Sequence, residues 1–126
     1  MAKRFLLSIY WDEDKLFNRV PADEMNDLNA AHIRFNSDLR KSGHYIEAEA
    51  LEPARGARVV RSRGGKLNVS DGPFAEAKEL VAGFYLIEAS DMDEAVEIAG
   101  RIPSLTHAAV EVREIRKLIV DGKVAN

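Results

Sequence analysis

His32 is the side chain of this sequence that is best placed for acid-base chemistry. It belongs to an apolar stripe whose members are three or four residues apart, which is the spacing of one helical face. The stripe consists of Met25, Leu28, His32, Phe35 and Leu39. A histidine on the packed face of a helix needs hydrogen-bond partners, and its imidazole titrates near neutral pH. The pattern therefore indicates either a general acid or base at His32, or a neutral core histidine bonded to backbone or water.

A second candidate is the segment Asp-Gly-Pro-Phe at positions 71–74, between a predicted hairpin and the most apolar predicted strand. Pro73 fixes its own φ angle and has no N–H for a strand ladder, so the chain has to leave the hairpin there. Asp71 can cap the turn by accepting backbone N–H bonds, and Phe74 can anchor the loop in the core. The alternative is a functional role for Asp71, as a titratable group where a loop meets a sheet edge.

Tyr10 stands at the end of a predicted strand, beside Trp11 and a run of acidic residues. One interpretation is the aromatic rim of a pocket, and the other is simple anchoring of the loop. For the functional interpretation we expect a cleft between a sheet and a helix that takes an unidentified small molecule. Its expected catalytic residues are His32 and Asp71, acting in acid-base chemistry, and its expected substrate-binding residues are Tyr10 and Phe74.

Metal and thiol chemistry find no support in the residue pattern. His32, His44 and His107 lack the close spacing of metal ligands, and the chain has no cysteine. We therefore expect no metal site, no cofactor and no cysteine nucleophile.

Short-range signals place the candidate residues on a regular series of elements. Arg4–Tyr10 is a short apolar run typical of a strand buried on both faces, and a polar loop is predicted after it. Pro21 at the start and Gly43 at the end predict a helix over residues 22–42. Residues 44–51 are predicted as a strand with Ile46, Ala48 and Ala50 on one face and Tyr45, Glu47 and Glu49 on the other.

The second half of the chain carries signals of the same kind. Gly64-Gly65 predicts a two-residue hairpin turn, because both turn residues take positive φ angles. The remaining predicted elements are a strand over residues 81–89, a helix from Ser90 or Asp91 to Pro103 with a capping box closed by Glu94, a strand over residues 108–115, and a loose tail over residues 117–126.

This order of elements predicts an α+β fold, a ferredoxin-like β-α-β-(β-hairpin)-β-α-β sheet with two helices on one face. The strand over residues 81–89 is apolar on both faces, because Phe84 and Leu86 point one way while Tyr85 and Ile87 point the other. An uncovered apolar face marks an association surface. We therefore expect a homodimer through the sheet face. The alternative is that the N-terminal loop and the tail cover this face.

The composition bounds the class of protein. A chain of 126 residues fits one domain, over residues 1–126. Its net charge of −3 leaves no basic excess for a phosphate backbone, so no direct nucleic-acid partner is expected. The apolar runs are too short for a membrane span, and the apolar start lacks the cleavage site of a signal peptide. We therefore expect a cytoplasmic protein without a membrane partner.

Three segments together carry a family resemblance: "DGPFAEAKELVAGFYLIEASDMDEAVEIAGRIP", "FLLSIYWDED" before it and "AVEVREI" after it. They resemble the DGPF group of the YCII-related domain family, over nearly the whole chain up to about residue 116. The resemblance implies a dimeric α+β barrel and little about chemistry, since most members of the group are uncharacterised. Some members occur alongside sigma factors of the extracytoplasmic type, which implies a regulatory protein partner.

The resemblance also bears on His32. In YCII proteins a helix histidine lies eleven residues before the glycine that ends the helix, and His32 and Gly43 are similar in that spacing. The family histidine pairs with an aspartate of an Asp-Pro segment after the second helix, where this chain has Ile102-Pro103. Asp71 is the substitute that we predict. It would share a cleft with His32 and raise the histidine pKa.

Two classes of function follow. The first is a small-molecule enzyme or binding protein that uses the cleft at His32, and the residues leave open whether catalysis occurs. The second is a non-catalytic interaction module whose hairpin presents a basic edge to an acidic protein partner. That edge consists of Arg58, Arg61, Arg63 and Lys66. A pocket that reaches His32 favours the first class.

Overall fold

The computed structural model describes residues 2–117, 119–120 and 122–124. Within these ranges the chain forms eight strands, three α-helices and two 3₁₀ turns. The strands are β1 (Lys3–Asp12), β2 (Tyr45–Ala50), β3 (Arg58–Arg63), β4 (Lys66–Asp71), β5 (Glu79–Ala89), β6 (Ala109–Glu114), β7 (Ile119–Val120) and β8 (Lys123–Val124). The α-helices are α1 (Glu13–Asn18), α2 (Ala22–Ser42) and α3 (Met92–Ala99), and the 3₁₀ turns are Ala54–Gly56 and Pro103–Thr106.

A four-stranded antiparallel sheet forms the centre of the fold, in the order β2-β5-β1-β6. One of its faces is covered by α2 and α3, and the core lies between them and the two central strands. The core includes Phe5 and Leu7 of β1, Tyr85 and Ile87 of β5, Leu39 of α2 and Ile98 of α3. The predicted α+β class is confirmed.

Helix α2 has the bounds that its end signals predict. Pro21 stands at the N-cap, with Asp23 and Glu24 in the first turn, where carboxylates complement the helix dipole. At the other end Gly43 takes a left-handed conformation with φ of 81°, and its N–H bonds to the Arg40 carbonyl at 3.2 Å. The helix predicted over residues 22–42 is confirmed.

The segment after β1 differs from the prediction, because a short helix replaces the expected loop. The side chain of Asp12 accepts the backbone N–H groups of Asp14 and Lys15, at 3.1 and 3.3 Å. This N-cap satisfies donors that would otherwise face solvent, and α1 begins directly after it. With only six residues and no apolar stripe, α1 is too short for periodicity to reveal.

Helix α3 starts as predicted and ends earlier than predicted. Asp91 caps the N–H of Glu94 at 2.9 Å, and Glu94 reaches back to the N–H of Ser90 at 2.9 Å, which is the predicted capping box. The helix ends at Ala99 with Gly100 as its C-cap. Pro103 therefore opens a separate 3₁₀ turn and does not end the helix.

The face assignment predicted for β2 is wrong at its first residues. Tyr45 pairs with Ile87 and Glu47 with Leu86, so Ile46 is an extra residue in the ladder. This irregularity turns Tyr45 towards the core, on the side of Ala48. Ile46 is left 36% exposed. A one-residue shift exchanges the two faces of a strand, so alternation alone could not place Tyr45.

The predicted hairpin is confirmed as β3 and β4, which form a sheet of their own. Its turn residues Gly64 and Gly65 have φ angles of 56° and 81°. Leu67, 76% exposed, is typical of its apolar side chains, which lie outside the core. Of the predicted loose tail, residues 118, 121, 125 and 126 lie outside the described ranges. The described part pairs Ile119–Val120 with Lys123–Val124.

The face of the sheet opposite α2 and α3 carries an apolar strip along the two central strands. Leu6 is paired with Leu86, and Tyr10 with Val81, while Phe84 lies between them on the same face. Most of these side chains are half-buried in the single chain, and Val81 is 37% exposed. The central strands are therefore apolar on both faces, as predicted.

Gly83→Ala is expected to destabilise the fold because β2 passes close to β5 at this residue. A Cβ at Gly83 would lie 2.7 Å from the backbone oxygen of Glu49, closer than real side chains approach. We expect a loss of about 1–3 kcal/mol in the free energy of unfolding, the usual cost of overpacking. Urea unfolding measures it. Gly56→Ala is the matched control, since its Cβ meets nothing within 4 Å. Equal midpoints for the two variants would contradict the close approach.

Candidate functional site

A cavity of about 280 Å³ lies between α2 and the sheet. Leu16 of α1 and Ser104 of the second 3₁₀ turn contribute to its wall. The other lining residues are Ile9, Trp11, Met25, Leu28, Asn29, His32, Asn36, Ala48, Glu49, Ala50, Ala82, Gly83, Phe84 and Tyr85. The lining is mostly apolar, with a small group of polar side chains near His32, which is the usual composition of a small-molecule site.

The helical repeat of α2 explains why His32 reaches this cavity. Met25 and Leu28 precede it on the same face and also line the cavity, whereas Phe35 and Leu39, further along the stripe, are buried in the core. The N-terminal half of the stripe thus lines the cavity, whereas the C-terminal half packs into the core.

Both ring nitrogens of His32 have hydrogen-bond partners from other elements. Nδ1 lies 2.8 Å from the Tyr85 hydroxyl on β5, and Nε2 lies 3.1 Å from the Ser104 hydroxyl. The Tyr85 hydroxyl in turn donates to Oδ1 of Asn36, at 2.6 Å. The rings of His32 and Tyr85 are stacked, with centroids 6.1 Å apart. Four side chains therefore form one continuous hydrogen-bonded chain.

The number of protons on each group determines which group donates in each of these hydrogen bonds. Tyr85 has a single hydroxyl proton, which goes to Asn36, so the Tyr85 oxygen accepts from His32 Nδ1–H. In a neutral imidazole the other nitrogen then carries a lone pair. His32 Nε2 therefore accepts the hydroxyl proton of Ser104. The imidazole is held in one tautomer with its basic nitrogen towards Ser104.

Burial fixes the protonation states of the two titratable members of this chain. Loss of solvation lowers the pKa of His32 below its usual 6.5, because the charged imidazolium is disfavoured. Burial, with the nearby Tyr45 as a smaller contribution, raises the pKa of Tyr85 to about 12. At neutral pH the site therefore holds a neutral imidazole and a neutral phenol. Glu49 is the single acidic residue of the lining; it pairs with Phe84, whose side chain lies on the opposite face of the sheet, and it is exposed.

Asp71 does not join His32 in the structure. Its side chain is 91% exposed, and its carboxylate lies 3.4 Å from Nε of Arg58. The turn does not fold back towards α2, because Gly72 N–H bonds to the carbonyl of Ala57 at 2.7 Å and continues the hairpin. The predicted pair of His32 and Asp71 is not formed. The predicted rise in the His32 pKa is also wrong, because burial lowers this pKa and no carboxylate opposes the shift.

Tyr10 and Phe74 also lie away from the cavity. Tyr10 is paired with Val81 on the open face of the sheet, while its neighbours Ile9 and Trp11 point into the cavity. Phe74 is 76% exposed, with the guanidinium of Arg61 5.0 Å from its ring centroid. The expected anchoring of Phe74 in the core is therefore wrong. The structure brings only His32 of the four predicted site residues to the cavity.

Tyr85, Ser104 and Trp11 are the site residues that sequence reasoning missed. Strand alternation placed Tyr85 on one face with Ile87, which is correct, and a buried tyrosine needs a partner for its hydroxyl. These two facts together indicate Tyr85 as a hydrogen-bonding residue of the buried face. No local signal marks Ser104, because its contact with His32 spans 72 residues.

A second histidine lies beyond Trp11. His107 Nε2 is 2.7 Å from a carboxylate oxygen of Glu24, and its ring is stacked on Trp11 with centroids 5.6 Å apart. Elsewhere, His44 lies 3.2 Å from Glu94 and 2.7 Å from the Ser42 hydroxyl. Within the described ranges these side chains form no cluster of three or more metal ligands. The described helices also include none with the length and apolar character needed to cross a membrane.

Comparison with known proteins gives a family match without an assigned activity. The YCII-related domain matches residues 3–119 of the chain. An uncharacterized protein of Rhizobium meliloti (strain 1021) is 37% identical over 75 residues, which are 60% of this chain and 57% of the relative. The matched part thus spans less than two thirds of that relative's length.

Proposed function

The chain belongs to the YCII-related domain family, and we propose that it binds a small uncharged molecule in the His32 cavity and acts on it by acid-base chemistry. The observation that carries this proposal is the neutral imidazole of His32, held in one tautomer by Tyr85 and facing a largely apolar cavity. A base that is neutral at working pH accepts a proton without first losing one.

The lining of the cavity supports an uncharged ligand. An anion would find no cationic side chain among the lining residues, and burying an unpaired charge in an apolar site is costly. An apolar body with one or two polar atoms would pair with the hydrogen-bonding groups near His32. The volume of about 280 Å³ suits a molecule the size of one aromatic ring with short substituents.

For the assembly, we propose one domain that forms a homodimer through the open face of the sheet. The strand order β2-β5-β1-β6, with α2 and α3 on one side, supports a ferredoxin-like arrangement. The apolar strip on the other side supports sheet-to-sheet packing of two copies in a dimeric α+β barrel.

Trp11 offers a direct test of ligand binding, because it is the single tryptophan of the chain and lines the cavity. We expect benzyl alcohol to change Trp11 fluorescence and raise the melting temperature, since a ligand of the native state stabilises it. Benzoate, its anionic counterpart, is expected to do neither at the same concentration.

Two phenylalanine variants of α2 control this experiment. Leu28→Phe fills space inside the cavity and is expected to weaken the benzyl alcohol response at least about tenfold, roughly 1.4 kcal/mol of binding free energy. Ile33→Phe is the matched control, because Ile33 is 70% exposed on the same helix. Equal responses in the two variants, or a stronger response to benzoate, would contradict the proposal.

The hairpin favours a second candidate function, a docking element for an acidic protein partner. Residues 54–78 carry six basic and two acidic side chains, hence a net charge of +4, in a chain whose total is −3. The same segment exposes Val60, Leu67 and Val69. Exposed apolar side chains among basic ones are typical of a protein interface.

A further inference from the structure

Ser104 is the hydroxyl group that both lines the cavity and contacts the basic nitrogen of His32. It lines the cavity and is only 2% exposed. The 3₁₀ turn Pro103–Thr106 holds it, and Pro103 fixes the first φ angle of that turn. Its hydroxyl oxygen lies 3.1 Å from His32 Nε2, within the reach of a proton transfer.

The order of donors and acceptors makes His32 a base for Ser104. Nε2 carries the lone pair and accepts the Ser104 proton, while Nδ1–H is held by the Tyr85 oxygen. Asn36 fixes Tyr85 in turn. A hydroxyl, a base within hydrogen-bond distance and a third group that orients the base constitute the arrangement of an activated nucleophile.

We propose that Ser104 is a nucleophile that takes the acyl group of a small uncharged carboxylic ester. This inference rests on the proposed function, since it requires that the cavity bind an uncharged molecule. It adds the reacting atom and the substrate class.

The reaction has two steps. The Ser104 oxygen bonds to the carbonyl carbon, its proton passes to His32 Nε2, and the bond to the alcohol oxygen breaks as Nε2 returns that proton to the leaving alcohol. Water then attacks the acyl-serine, giving one proton to Nε2. That proton returns to the Ser104 oxygen as the carboxylic acid leaves. The sum is ester plus water giving acid plus alcohol.

The orienting group predicts a slow reaction. Tyr85 is neutral and stays protonated at working pH, because its pKa is about 12. It holds the tautomer of His32 but stabilises the imidazolium formed during the reaction less than a carboxylate would. An ester with a good leaving group needs this base less for acylation than water needs it for deacylation. With such an ester acyl-serine is expected to accumulate, which makes it visible to mass spectrometry.

The experiment uses 4-nitrophenyl acetate with the full chain. We expect release of 4-nitrophenolate, a mass increase of one acetyl group, and peptide mapping that places this group on Ser104. Ser104→Ala is expected to remove the acetylation, and His32→Gln to slow it more than about tenfold, as loss of a general base does. Ser42→Ala is the matched control, because the Ser42 hydroxyl also contacts a histidine ring, that of His44, outside the cavity.

Each outcome decides one of the two proposals. Acetyl on Ser104 in the parent and in Ser42→Ala supports the nucleophile, and the parent result stands even if Ser104→Ala fails to fold. The nucleophile proposal is overturned if the acetyl group is found on lysines or on Ser42 and not on Ser104. It is also overturned if a folded Ser104→Ala is acetylated at the rate of the parent. If the benzyl alcohol response of Trp11 persists in that case, the proposed binding function stands. If the parent lacks this response, the binding function fails.

Discussion

Leu7→Asp is expected to leave no folded protein, whereas Leu86→Asp is expected to leave a folded monomer. Leu7 is completely buried in the core beneath α2 and α3. An unpaired carboxylate there should cost at least about 5 kcal/mol, which is comparable with the roughly 5–15 kcal/mol that keeps a domain folded. Leu86 lies on the opposite face of the same sheet and is only half-buried in the single chain. In the proposed dimer it would lie in the interface.

Circular dichroism and light scattering separate these outcomes. The parent is expected to scatter as two chains of 14.0 kDa each, and Leu86→Asp as one chain with native secondary structure. Leu67→Asp is the matched control for the substitution itself, since Leu67 is 76% exposed on the hairpin. It should behave as the parent does. A folded Leu7→Asp would contradict the core, and a monomeric parent would contradict the dimer.

The parts of the fold that the sequence predicts are those marked by local chain chemistry. Pro21 and Gly43 fix the ends of α2, and Gly64-Gly65 fixes the hairpin turn, because each of these residues restricts or permits particular φ angles. The extra residue at Ile46 is different in kind. It depends on the pairing of β2 with Ile87 and Leu86 of β5, which lie about 40 positions after Ile46 in the sequence. Strand register of this sort is a property of the pair and not of either segment.

The candidate site divides in the same way. Helical spacing alone places His32 on the packed face of α2. Its partners Tyr85 and Ser104 are 53 and 72 positions away, and nothing in the residues around them indicates which would reach the imidazole. The family resemblance predicts a carboxylate partner for His32, and Asp71 is the substitute that the sequence offers. In the structure His32 has two hydroxyl partners and no carboxylate, so burial is left to lower its pKa.

That direction predicts how the stability of the protein depends on pH. Burial holds the His32 pKa in the folded protein below its unfolded value of about 6.5. Above that value the imidazole is neutral in both states and contributes no pH dependence. Below it the unfolded chain binds a proton that the folded chain does not, so the free energy of unfolding decreases as pH falls. The decrease approaches about 1.4 kcal/mol per pH unit until the folded-state pKa is reached.

His32→Gln isolates this contribution, because glutamine keeps a polar side chain on α2 and does not titrate in the window. Urea unfolding between pH 7 and pH 5 should show a steeper loss of stability, on the order of one proton, in the parent than in His32→Gln. The pairs His44 with Glu94 and His107 with Glu24 are present in both proteins and cancel in the difference, as does the exposed Glu49 at the cavity. Tyr85, with a pKa of about 12, stays protonated throughout. Two results would contradict this prediction: equal slopes of the free energy of unfolding against pH in the two proteins, or an NMR titration midpoint of His32 at or above 6.5. Either result would show that the imidazole is solvated. The proposed chemistry would then lose the neutral base on which it depends.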